Sequence, residues 1–174
     1  MIRTLFLLSA FLLTLSFYTS VLAGENVKYQ NDVKELIARV NKIAIDCEPK
    51  FNEYARQAKL LENGQSSLND FVKAAGELKS QYVTAVESVL KYQNHRPLPD
   101  LLGKYFNGVR REYAESLMFK VVGLDSQIKY VNSKDASYLQ SYRHANAEAQ
   151  AREKAFILWI TMSCRDVGLE PPQF

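Results

Sequence analysis

Apolar side chains recur in alternating steps of four and three from Val33 onward, through Ile37, Val40, Ala44, Cys47, Phe51, Tyr54 and Ala58 to Leu61. That spacing places them on one seam of a helix. Gly64 follows as a natural stop, because glycine accepts the left-handed backbone that ends many helices. Pro49 interrupts the seam, since proline removes one backbone hydrogen bond and crowds the preceding turn. The pattern therefore predicts a first helix that is kinked or split near Pro49.

A second helix is predicted from Ser67, which can cap its start, with Asp70 three residues on. Its apolar stripe runs Leu68, Phe71, Val72, Ala75, Leu78, Tyr82, Val86 and Val89, and Pro97 and Pro99 bar continuation past about Asn94. A third helix is expected over residues 100–132, with Leu102, Tyr105, Val109, Tyr113, Leu117, Val121, Leu124, Ile128 and Val131 facing inward. Asn107-Gly108 is a turn-favouring dipeptide and a candidate break. Ser133 or Asp135 caps a fourth helix. Its last turns, Ala155-Phe156-Ile157-Leu158-Trp159-Ile160, are apolar all round and predict burial on several sides. Four long helices joined by short turns define an all-α, antiparallel up-down bundle.

The first 23 residues belong to a different pattern. Arg3 is the only charge before Glu25, an apolar run fills the middle, and Val21-Leu22-Ala23 offers small residues at a cleavage point. These are the parts of a secretory signal peptide. Residues 24–174 then form one domain, expected to work in the periplasm or the secreted space with no membrane span after cleavage.

Export changes the reading of the two cysteines, Cys47 and Cys164. An even count in an oxidising compartment suggests one disulfide, worth ~4–5 kcal/mol for so long a loop. Straight helices rising ~1.5 Å per residue leave the two thiols ~20 Å apart in height. A bridge therefore requires an irregularity at Pro49 or Asn107-Gly108. It also predicts that residues 25–45 protrude from the bundle or fold across its end.

The formal charge of +3, reduced by one without Arg3, carries no basic stripe of the kind nucleic-acid binders show. No H-E-x-x-H, G-x-S-x-G or glycine-rich phosphate loop occurs, so no catalytic residue is assigned. The chain has two histidines. His95 falls in a loop. His144 and Glu148 share a helix face and are the candidate metal ligands, but two ligands do not complete a site. Met118 and His144 form a conceivable haem axial pair, although Met118 is more simply a core filler and no C-x-x-C-H is present. No cofactor is expected. The sequence instead predicts a non-enzymatic binding protein of the bacterial envelope or secreted space, in the manner of an inhibitor, immunity protein, adaptor or chaperone-like factor. Its partner is expected to be a protein of the same compartment. Tyr138, Tyr142 and Arg143, at the start of the fourth helix, combine residue types favoured at interfaces.

Overall fold

The structure, a computed structural model, describes residues 27–172. The predicted signal segment lies outside the described residues. A short 3-10 turn, Val27–Tyr29, leads into four helices: α1 (Gln30–Glu62), α2 (Leu68–Lys91), α3 (Asp100–Ser133) and α4 (Ala136–Asp166). They pack as the all-α bundle that the periodicity predicts.

The helix ends follow local chemistry. Ser67 Oγ accepts the Asp70 amide at 3.1 Å and opens α2. Asp135 accepts the Ser137 amide at 2.9 Å and opens α4. Two helices close alike. Gly64 and Gly168 have φ of 68° and 72°. The residue after each glycine donates back to the carbonyl of Leu60 or Cys164 at 2.8 Å. This doubly bonded terminus consumes carbonyls that would otherwise end a helix unpaired.

The interior holds two apolar clusters. Ile43, Cys47 and Tyr54 of α1 meet Phe71, Leu78 and Val86 of α2 and Leu117, Val121 and Leu124 of α3. The second cluster joins Val33, Leu36, Ile37 and Val40 of α1 to Leu102, Phe106 and Val109 of α3 and Phe156, Ile160 and Cys164 of α4. Thus α1 and α3 serve both cores, α2 serves the first and α4 the second. Tyr113 packs against both clusters and stacks on Phe156 with ring centroids 4.9 Å apart.

The closest and most extensive pairing is between α3 and α4, whose connection is only Lys134 and Asp135. Small residues allow the approach: Ser116 and Gly123 on α3, and Ala145, Ala149 and Ser163 on α4, are all buried. Gly108 provides a notch for an indole. A β-carbon there would stand 2.5 Å from Trp159 Cδ2.

Several expectations are corrected by these contacts. Of the two alternatives expected at Pro49, the split is ruled out, because Pro49 lies inside one continuous α1. Asn107-Gly108 does not break α3, because backbone hydrogen bonding runs through it and the glycine makes room for Trp159. The described part of the segment expected to protrude, residues 27–45, does not do so: Val33, Leu36 and Ile37 are among the most buried of the described side chains, while residues 25 and 26 lie outside the described residues. Leu158, in the run expected to be buried on several sides, is 57% exposed. Finally, Cys47 and Cys164 are free buried thiols and no bridge joins them. The physical reason is placement: with α1 and α3 both continuous, each thiol lies in a different core cluster.

Two outcomes follow. Denatured, unreduced protein should titrate with two thiols. Gly108→Ala should lower stability by ~1–3 kcal/mol in urea unfolding, because the indole must shift. In a Trp159→Ala background the same change should instead stabilise by up to ~1 kcal/mol, the helix-propensity gain of alanine over glycine.

Candidate functional site

Charged and polar side chains enter the middle of the bundle at the level of Tyr113. Lys120 Nζ lies 2.6 Å from Glu153 Oε1, joining α3 to α4, and is 16% exposed. Ser116 Oγ donates to the same carboxylate at 3.4 Å. The Lys120 ammonium also lies 5.8 Å from the centre of the Tyr82 ring on α2. Cys47 of α1 is close enough to feel the Lys120 charge. One residue or more from each helix therefore contributes to this level, the arrangement from which bundles build internal sites.

Toward the side, Glu112 is buried at 4% exposure. It accepts hydrogen bonds from Arg111 at 3.0 and 2.6 Å and from Arg152 at 3.0 Å. Arg152 also reaches Glu115 at 2.9 Å. Burial pushes the Glu112 carboxyl up, but the two guanidinium groups outweigh it and hold the carboxyl below its ordinary range. Asp125 is likewise held low, by Lys129 first and by Lys79.

The potential nucleophiles are set the other way. Burial pushes the Cys47 thiol up, against a smaller downward pull from Lys120. Burial alone pushes Cys164 up to about 12. Tyr54, Tyr82 and Tyr113 are all shifted upward, chiefly by burial. A thiol or phenol that keeps its proton is a poor nucleophile. Each carboxylate of the layer, Glu112 and Glu153, is engaged by a cation. The layer can fix which faces of α3 and α4 meet, since misregister would strand a charge.

The residues singled out in the sequence are dispersed. Tyr142 turns toward α3: a β-carbon on Gly123 would lie 3.6 Å from its ring. It is also near enough to Tyr54 to raise that phenol further. Tyr138 is half-buried beneath the Lys129 ammonium, 5.8 Å from its ring centre, and Lys129 is itself bound to Asp125 at 2.7 Å. Arg143 faces solvent. The trio is thus not one flat patch, because two tyrosines line the α3–α4 contact while the arginine points outward.

His144 is exposed and Glu148 half-buried on the same helix. Among the described residues no group of three or more His, Cys, Asp or Glu side chains is placed to hold a metal ion. Met118 is 45% exposed, so it does not fill the core as expected. With His144 also at the surface, the pair shares no enclosed pocket for a haem. His95 is a loop residue, its Nε2 3.0 Å from Glu35. No described helix is long and apolar enough to cross a membrane.

Sequence reasoning missed Glu112, Ser116, Lys120, Arg152 and Glu153. A usable signal existed. Lys120 sits within the Leu117–Val121–Leu124 stripe, and Glu153 lies one turn before Phe156. No family model, curated protein or solved structure matches the chain.

The low carboxyl of Glu112 sets a pH dependence. Its folded value lies below the unfolded one, near 4.3, so its stabilisation is present at neutral pH and is lost as pH falls through the folded value. Glu112→Gln should lower stability by ~1–3 kcal/mol at pH 7. Its urea midpoint should then fall less than that of the unaltered protein between pH 5 and pH 3.

Proposed function

We propose that this protein is an exported, non-enzymatic binding protein of a bacterial envelope or secreted space, recognising another protein through the solvent face of the α3–α4 pair. The signal-like residues 1–23 support the export part of the reading. The binding part rests on one observation. Met118 and Val122, one turn apart on α3, are 45% and 46% exposed although apolar. Apolar side chains held in water add nothing to the core and are available to be covered by a partner. Glu115, bound to Arg152, stands one turn before Met118 and supplies a charged rim. The internal ionisable groups support the non-enzymatic part: the carboxylates of the polar layer are paired with cations and the thiols are held protonated.

Arg143 on α4 is exposed and is tested together with this pair as a separate contact, whereas the two tyrosines also support the fold. Chemical cross-linking in the exported fraction, followed by mass spectrometry, identifies the partner. A Met118→Ser, Val122→Ser, Arg143→Ala variant should bind that partner more weakly by ~2 kcal/mol or more. Its melting temperature should barely move, since surface changes typically alter stability by less than ~0.5 kcal/mol. Tyr142→Ala should do the reverse, lowering the melting temperature through its lost packing on Gly123. Unchanged affinity in the triple variant refutes the assignment of this face.

A further inference from the structure

We propose that residues 30–40, the first part of α1, form a releasable arm that opens while the rest of the bundle stays folded. Opening uncovers the apolar surface of Leu102, Phe106, Phe156 and Ile160. This is a conformational device and goes beyond the binding role above.

Four observations converge on it. First, the arm belongs to a different core from the helix that follows. Val33, Leu36, Ile37 and Val40 join the α3–α4 cluster, whereas Ile43, Cys47 and Tyr54 join the α2–α3 cluster. Second, packing is imperfect where the two cores meet. A small recess there is bounded by Leu36, Val40 and Ile43 of α1, Val89 of α2, and Arg110 and Tyr113 of α3. Among the described residues the buried Arg110 Nε has no hydrogen-bond partner, although its Nη2 donates to the Leu90 carbonyl at 2.7 Å. A gap and an unmet donor both weaken the local packing.

Third, the start of the arm is fastened from outside. Tyr29, at its N-terminal boundary, gives no side-chain cap. Instead Arg96 from the α2–α3 connection grips Asp32 through Nε and Nη2 at 3.1 and 2.5 Å. It also donates to the Lys28 carbonyl at 2.7 Å and lies over the Tyr29 ring at 4.6 Å. Gln30 Nε2 donates to the Val167 carbonyl at 3.0 Å. Fourth, Pro49 cannot donate to the carbonyl of Ile45 four residues back, so α1 lacks one hydrogen bond in the turn after the arm. Within that turn Gln81 Nε2 pins the Asp46 carbonyl to α2 at 3.2 Å. The later part of α1 is therefore held independently of the arm.

A released segment of about three turns is too short to stay helical alone, so the arm opens by local unfolding. The two cysteines report on it, one in each core: Cys164 shares the arm's cluster and Cys47 does not. Thiol labelling of the reduced full chain under native conditions, read by peptide mass spectrometry, should modify Cys164 at least tenfold faster than Cys47. Arg96→Gln removes the outer fastening without touching either core. It should raise the Cys164 rate by about fivefold and leave the Cys47 rate unchanged. Hydrogen exchange on the unaltered protein is the second measurement, and amides of residues 30–40 should exchange well before those of residues 70–90. Equal labelling rates, a variant that accelerates both cysteines alike, or exchange of α1 and α2 in step would each overturn the proposal.

Discussion

The close contact of α3 with α4 is the constraint on which the remaining architecture depends. Two helices joined by two residues must run antiparallel and touch along their length. They can do so only where side chains are small. Ser116 and Gly123 on one side, with Ala145 and Ala149 on the other, meet that requirement, and Gly108 lets an indole lie against bare backbone. A contact this close leaves little apolar bulk between the helices. The large side chains are displaced to either side of the pair. One group forms a core with α2 and the other a core with the start of α1.

Charges near the centre are tolerated because they meet opposite charges. Lys120 and Glu153 meet as a pair between α3 and α4, and Tyr113 packs against both cores with one ring. Buried ion pairs contribute little net stability, but a broken one is expensive. The layer therefore selects register more than it adds to stability. The same burial that permits these pairs keeps the thiols and phenols protonated.

Most of the fold was legible in the sequence because helical periodicity is a local signal. The stripe on α2 from Phe71 to Val89, the Ser67 and Asp135 caps and the glycine that stops α1 appear where the pattern puts them, whereas Leu68 is exposed. What was not legible depends on neighbours. Asn107-Gly108 reads as a turn in isolation, and only Trp159 shows why a glycine stays helical there. Pro49 reads as a kink or a break, and tertiary contacts on both sides carry α1 through it as one helix. Met118 reads as core, but it lies beside Val122 on the exposed side of α3. The cysteine pair reads as a bridge from compartment and count, whereas bonding depends on a distance that no local pattern records. The placement of Lys120 and Glu153 beside apolar stripes was a signal, but their pairing was hidden for the same reason. Lys120 and Glu153 are far apart in sequence, and each alone resembles a surface charge.

The division of α1 between two cores has a consequence for how the chain is made. A polypeptide emerges from its N-terminus. The later part of α1 can pair with α2 as soon as the hairpin turn at Gly64 has formed. The first part cannot, because its partners Phe156, Ile160 and Val167 lie near the other end of the sequence. Val33, Leu36, Ile37 and Val40 must wait in an unfinished molecule until nearly the whole chain has appeared. During that interval they form a short, sticky, incompletely helical stretch at the leading end. The nascent protein is most exposed to misassociation there, and a chaperone would find its best foothold in a segment that the finished molecule hides.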